Sequence, residues 1–88
     1  MAVKLIELEG RLRDFIISLL ERRVQSTSFS AADNLLAQGR LTSLQVVEII
    51  VFLESQYGLK MDANDFDPRS FESLASILEF CRRKGLTT

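Results

Sequence analysis

Apolar and polar residues follow a helical period at the start of the chain. In residues 4–24 the apolar positions recur at intervals of three and four, which predicts an amphipathic helix; they are Leu5, Leu8, Leu12, Phe15, Ile16, Leu19 and Leu20. Gly10 interrupts the pattern. Since glycine costs a helix about 1 kcal/mol relative to alanine, we predict that a second helix packs closely there.

The segment from Gly39 to Gly58 predicts the central helix of the fold. Gly39 suits the turn that leads into the helix and Gly58 suits its end, because glycine readily adopts a positive φ. Thr42 and Gln45 have the spacing of a capping box, in which two side chains satisfy N–H groups at the helix start. Ser43 then lies in the first turn, where unpaired donors and the helix dipole favour a negative group.

Apolar residues lie on two opposite sides of this central helix. At about 100° per residue, one side is predicted to face the core, and it contains Val46, Ile49, Ile50, Leu53 and Tyr57. The opposite side, which we call the outer stripe, contains Leu44, Val47, Glu48, Val51 and Ser55. Because the outer stripe combines apolar side chains with an acidic one, we expect it to face water and a partner protein.

The remaining segments predict a loop and two further helices. Residues 25–32 are polar around Phe29, which should anchor this loop to the core, and residues 33–39 predict a short helical turn. Residues 62–67 predict a short helix that ends before Pro68. Ser70 is expected to cap the last helix, which Gly85 ends; its apolar side contains Phe71, Leu74, Ala75, Ile77, Leu78 and Cys81.

Together these segments predict an all-α fold, a small bundle of three main helices plus one short helix. At 88 residues the chain is expected to form one domain, residues 1–88, with its core between about 4 and 84. The basic residues Arg82, Arg83 and Lys84 fall in the last turn of the last helix. There they complement the helix dipole better than they would form a nucleic-acid patch.

Composition narrows the range of functions. A net charge of −1, from 11 basic and 12 acidic residues, argues against nucleic-acid binding. A single cysteine excludes an internal disulfide and fits a reducing compartment, and Cys81 is expected to be a buried apolar residue. With no signal pattern and no apolar run of membrane-spanning length, we expect a cytoplasmic monomer that does not bind a membrane.

Candidate catalytic and metal-binding groups are few. The chain contains no histidine, which removes Ser-His and Cys-His nucleophilic pairs and histidine metal sites. Carboxylates at positions 62, 65 and 67 do not have the spacing of a calcium loop, because Asp67 and Ser73 occupy the positions that need glycine and glutamate. Ser43 has no general base of its own, so another enzyme would have to carry out its chemistry.

Short motifs in the second half of the chain resemble those of the acyl carrier protein family. They are Gly39-Arg-Leu-Thr-Ser43-Leu44, Val46-Val47-Glu48, Leu53-Glu54, Tyr57-Gly58, Asn64-Asp-Phe-Asp-Pro68 and Phe71-Glu-Ser-Leu74. The resemblance runs from about Asp33 to Leu78, and the first helix has the right length and position to complete it. It departs from the family at Thr42, where the family most often has Asp.

The resemblance implies a carrier rather than an enzyme. In the family, the serine that matches Ser43 is esterified with the 4'-phosphopantetheine of coenzyme A by a phosphopantetheinyl transferase. A loading enzyme then attaches an acyl or aminoacyl group as a thioester, and downstream biosynthetic enzymes act on it. The resemblance also implies contacts between partner enzymes and the outer stripe, and the predicted partner-binding residues are Thr42, Leu44, Val47, Glu48 and Val51.

Two hypotheses about the function follow. Gln45 and Ser55 occupy positions where fatty-acid carriers commonly have acidic residues, which favours a different set of partners. The first hypothesis is therefore a freestanding carrier in a dedicated pathway of the polyketide or nonribosomal-peptide type. The second is an unmodified interaction module that acts only by docking through the central helix, and the neutral Thr42 keeps this alternative open.

Overall fold

The computed structural model describes residues 5–22 and 27–85. Helix α1 spans Leu5–Leu20, α2 spans Ser43–Tyr57 and α3 spans Leu74–Arg83. Two 3₁₀ turns, Ala63–Asp65 and Pro68–Ser70, lie between α2 and α3. These residues contain helices and turns and no strand, so the predicted all-α bundle is confirmed.

Helix α1 packs against both other helices and supplies much of the core. Its fully buried side chains are the predicted ones, Leu8, Leu12, Ile16, Leu19 and Leu20. The helix ends at Leu20 and a turn follows at 21–22, whereas the sequence predicted a helix to residue 24. Positions 4, 23 and 24 and the side chain of Leu5 lie outside the described residues.

The close helix contact predicted at Gly10 is wrong. Gly10 is exposed, and a Cβ built on it would meet no atom within 4 Å. The residue falls on the side of α1 that faces water, where an interruption of the apolar pattern needs no packing partner. Its energetic cost to the helix is therefore not offset by a contact.

The three helices share a single apolar core, and aromatic contacts join its parts. The ring of Phe15 on α1 stacks on that of Phe52 on α2, with centroids 4.4 Å apart. The rings of Phe71 and Phe80 meet at 5.1 Å. Phe80 is buried although the sequence analysis did not assign it to the core, and Ala75, which was assigned to the core, is exposed.

Phe29 anchors the long connection between α1 and α2, as predicted. The Arg13 side chain donates a hydrogen bond to the Phe29 carbonyl at 2.9 Å, and its guanidinium lies 4.8 Å from the centre of the Phe29 ring. Leu35 is fully buried, and its N–H donates to the Glu72 carbonyl at 2.7 Å. Residues 35–39 form turns, in agreement with the short helical turn predicted there. The connection is thereby fixed against the segment that precedes α3.

The last helix begins later than the sequence predicted. Ser70 belongs to the second 3₁₀ turn, and the N-cap of α3 is Ser73, whose hydroxyl accepts a hydrogen bond from the Ser76 N–H at 3.1 Å. Phe71 is buried between these two elements. Residues 71–73, predicted to be the first three of the helix, instead connect the turn Pro68–Ser70 to α3.

The basic residues at the end of α3 have partners within the chain. Arg82 forms an ion pair with Glu79, and Lys84 forms one with Asp65 at 2.9 Å. The Arg83 guanidinium lies 5.9 Å from the centre of the Phe80 ring. These contacts agree with the interpretation that the cluster stabilises the helix end. None of the helices in the described part of the chain has both the length and the apolar character needed to cross a membrane.

Cys81 is fully buried, as the sequence analysis expected. Burial raises the pKa of its thiol to about 11. Because the thiolate is the reactive form of cysteine, a thiol with this pKa is a poor nucleophile near neutral pH. Cys81 therefore acts as an apolar core residue.

Candidate functional site

The capping box predicted at the start of α2 is present. Thr42 is the N-cap, with φ −104° and ψ 166°, and its Oγ1 accepts a hydrogen bond from the Gln45 N–H at 3.1 Å. In return the Thr42 N–H donates to Gln45 Oε1 at 3.0 Å. At the other end Gly58 has a left-handed conformation, with φ 67°. Both predicted helix signals therefore define where α2 begins and ends.

Gln45 connects this helix start to α1. Its side chain is only 5% exposed, and Nε2 donates a hydrogen bond to the Leu19 carbonyl at 3.0 Å. The neutral Gln45 was also predicted to favour a different set of partners, but its buried side chain presents nothing to a partner. Ser55, by contrast, is exposed. Gln45 instead fixes the start of α2 against the end of α1.

Ser43 is the first residue of α2 and is exposed. Thr42 already provides the cap, and no hydrogen bond within residues 5–22 and 27–85 occupies the Ser43 hydroxyl. The N–H groups of Ser43 and Leu44 lie in the first turn, where a helix has no internal acceptors for them. This end of the helix favours a negative group by about 0.3–1 kcal/mol, so a phosphodiester on Ser43 would be in a favourable place.

An apolar cleft of about 140 Å³ opens beside Ser43. It lies between α2 and the segment that leads to α3, and it is lined by Leu36, Ser43, Val46, Val47, Ile50, Phe66, Asp67, Pro68 and Phe71. Phe66 is 55% exposed although it is a large aromatic residue. This cleft could not be predicted from the sequence, because three separated segments of the chain form it.

The cleft supplies no general base for Ser43. Asp67 is the carboxylate among its lining residues, and both of its oxygens accept hydrogen bonds from the Arg69 side chain, at 3.2 and 2.9 Å. These bonds lower the pKa of Asp67 below its ordinary value, which makes it a weaker base.

The outer stripe forms one continuous surface behind Ser43. Leu44, Val47 and Val51 are 72%, 49% and 54% exposed, large fractions for apolar side chains. Glu48 is half-buried and pairs with Arg22, which lies just beyond the end of α1, at 3.0 Å. Thr42 lies at the head of this surface, with its hydroxyl engaged in the cap. The predicted site residues are thus brought together, and Arg22 is an addition that the sequence analysis missed.

Comparison with known proteins identifies the kind of site. The family described as "phosphopantetheine attachment site" matches residues 10–82. The matched range includes most of α1, all of α2, the cleft and nearly all of α3. Comparisons with curated proteins and with solved structures gave no match.

Proposed function

The chain belongs to the phosphopantetheine-attachment family, and we propose that Ser43 is the residue that carries the 4'-phosphopantetheine arm. Members of this family are carriers, and the arm supplies a thiol that holds the cargo as a thioester. The observation that supports Ser43 is its place at the start of α2, exposed and with its hydroxyl unoccupied. The carrier domain proposed from the sequence has its core between residues 4 and 84.

Three serines within or next to a helix are poorer candidates for the attachment. The hydroxyls of Ser18 and Ser55 donate to backbone carbonyls within their own helices, at 2.6 and 3.4 Å. Ser73 also precedes a helix, but it is 8% exposed and its hydroxyl is part of the α3 cap. A transferase needs free access to the nucleophilic oxygen. Ser43 meets this condition at a helix start and Ser73 does not.

The residues around Ser43 have separate roles in this proposal. The amide groups of the first turn of α2 favour the charge of the phosphodiester. The apolar cleft offers contact to an apolar part of the arm or its cargo. The transferase, the loading enzyme and later enzymes dock on the outer stripe and on Thr42 at its head. The docking residues are Thr42, Leu44, Val47, Glu48 and Val51.

The cargo is proposed to be an acyl or aminoacyl group in a dedicated biosynthetic pathway of the polyketide or nonribosomal-peptide type. The net charge of −1 and the mainly apolar exposed side chains of the outer stripe support this assignment. Such a surface offers little attraction to strongly basic partners. This part of the proposal would be contradicted if a fatty-acid malonyl transferase loaded this protein as efficiently as it loads the carrier of the fatty-acid pathway.

The attachment is tested by the intact mass of the protein after incubation with coenzyme A, magnesium and a broad-specificity phosphopantetheinyl transferase. We expect the parent to gain the mass of one phosphopantetheine arm. Ser43→Ala should gain nothing, and the control Ser55→Ala, which removes another exposed α2 hydroxyl, should gain one arm. Circular dichroism on each variant checks that the fold is intact.

A different result would favour the second hypothesis. If the parent gains no mass and is also unmodified when isolated from its native host, attachment at Ser43 is refuted. The chain would then act as an interaction module that docks through the outer stripe. In that case Ser43→Ala should retain most of the function, whereas a carrier should lose all of it.

A further inference from the structure

An ion pair joins the turn after α1 to α2 beside the outer stripe. Arg22 Nη1 lies 3.0 Å from Glu48 Oε1 and 3.3 Å from Glu48 Oε2, so one guanidinium nitrogen serves both carboxylate oxygens. The pair lines an open groove between the two helices, together with Val47 and Val51. It therefore lies at the edge of the surface that the proposed function assigns to docking.

This contact changes the charge of the outer stripe. Glu48 is the acidic residue among the five that define the stripe, and Arg22 neutralises it. Leu44, Val47 and Val51 then present an apolar surface with no net charge beside Ser43. The other acidic residue of α2, Glu54, lies near the far end of the helix.

We propose that Arg22 is a specificity-determining residue for the enzymes that dock on α2. By holding Glu48 it weakens the docking of partners with a basic face relative to that of partners with an uncharged, apolar face. This inference rests on the proposed function, because it concerns enzymes that must reach an arm on Ser43. Arg22 acts through Glu48 and takes no part in the chemistry at Ser43.

The physical reason is competition for one carboxylate. A lysine or arginine of a partner must share Glu48 with Arg22 or displace Arg22, and it also meets the positive charge of Arg22 itself. The ion pair is exposed, with side-chain exposures of 60% for Arg22 and 37% for Glu48. An exposed pair has a modest effect, so we expect a change of about two- to fivefold in KM. Salt should suppress that change.

The test uses the unmodified protein, coenzyme A and two transferases, one with a basic carrier-binding face and one with an apolar face. KM and kcat for the protein are measured at low and at high sodium chloride concentration. The variants are Arg22→Gln and Arg22→Gln with Glu48→Gln. The matched control is Arg11→Gln, which also removes one positive charge. Among the described residues Arg11 contacts the Gln56 side chain, at 3.3 Å, and the Tyr57 ring, and it pairs with no carboxylate.

We expect Arg22→Gln to lower KM about two- to fivefold for the basic-faced transferase at low salt, with kcat unchanged. High salt, or the added Glu48→Gln substitution, should abolish the gain, and Arg11→Gln should not produce it. The apolar-faced transferase should not distinguish Arg22→Gln from the parent.

The inference would be overturned if Arg22→Gln and the parent had the same KM with the basic-faced transferase. Inactivity of that transferase on both proteins would overturn it as well. An equal gain in Arg11→Gln would also overturn it, since a general charge effect would then suffice. A gain that persists in the double variant would show that Arg22 does not act through Glu48. If neither transferase modifies the parent at all, the proposed function itself fails, which is a distinguishable result.

Discussion

The buried side chain of Gln45 provides a sharp test of how the start of α2 is held. We consider Gln45→Glu, which keeps the size and shape of the side chain and replaces the amide nitrogen by oxygen. One carboxylate oxygen can still accept the hydrogen bond from the Thr42 N–H, as Gln45 Oε1 does at 3.0 Å. The other oxygen would face the Leu19 carbonyl, to which Nε2 now donates at 3.0 Å.

The expected loss of stability follows from these contacts. A lost intramolecular hydrogen bond costs about 0.5–1.5 kcal/mol, and a buried group left without its partner costs about 1–3 kcal/mol. The Leu19 carbonyl also accepts the Arg22 N–H at 3.2 Å, so it does not become wholly unpaired. The helix dipole and the Thr42 N–H favour the new charge in part. We therefore expect a loss of about 2 kcal/mol in the free energy of unfolding at pH 7.5.

The loss should depend on pH. Burial and the facing carbonyl oxygen should raise the pKa of the introduced carboxyl above its ordinary value. Below the raised pKa the protonated carboxyl can donate to the Leu19 carbonyl again. The difference in unfolding free energy between the variant and the parent should therefore be largest at pH 7.5 and smaller at pH 5.

Urea denaturation followed by circular dichroism gives the free energy of unfolding at each pH. The control is Ser55→Glu, which places the same charge on an exposed position of α2 and should change stability by no more than about 0.5 kcal/mol. The reasoning is refuted if Gln45→Glu matches that control at pH 7.5. It also fails if the deficit is the same at both pH values.

Two further predictions concern stability elsewhere in the fold. Gly10→Ala should stabilise the protein by about 1 kcal/mol in thermal or urea unfolding, because the site is exposed and a Cβ meets nothing within 4 Å. The control Gly58→Ala should destabilise the protein, since Gly58 has a φ of +67°. If Gly10→Ala brings no gain in stability, the interpretation of Gly10 as an exposed residue without a packing partner is contradicted. The Asp62 N–H and then Lys84 lower the pKa of Asp65. This carboxylate therefore stabilises the fold fully above its ordinary pKa of about 4, and the stabilisation is lost as pH falls through the lowered pKa. Asp65→Asn should thus be less stable than the parent at pH 7, and the difference should shrink as pH falls below about 4 in denaturation experiments; a constant difference would contradict the assignment.

Local signals allowed the central helix to be predicted closely. Thr42, Gln45 and Gly58 act through contacts with residues three or four positions away, and the sequence alone displays such spacings. The start of α3 was harder to predict because Ser70 and Ser73 are both good caps. The choice between them depends on the burial of Phe71 in the core, a tertiary effect that overrides the local preference.

The site shows the same division between local and distant contacts. Ser43 and the outer stripe could be located from the helix period and the family motifs. The cleft could not, because Leu36, Val46 and Phe66 come from different segments. Gln45 contacts Leu19 and Glu48 contacts Arg22, in each case across 26 positions of the chain. Contacts at that separation leave no periodic signal, and polar residues on a helix are ordinarily expected to face water.

The residues that specify geometry and those that specify charge at the head of α2 overlap only at position 42. The geometry depends on the Thr42 cap and on buried Gln45, which position the helix start and expose Ser43. Two neutralising features set the charge: a threonine where the family most often has Asp, and Arg22 paired with Glu48. Both lie at the surface, and an aspartate at position 42 would still offer an oxygen to the Gln45 N–H. The charge presented to partners can thus change at positions 22 and 42 while the helix start is preserved, whereas a charge at position 45 also removes the hydrogen bond to the Leu19 carbonyl.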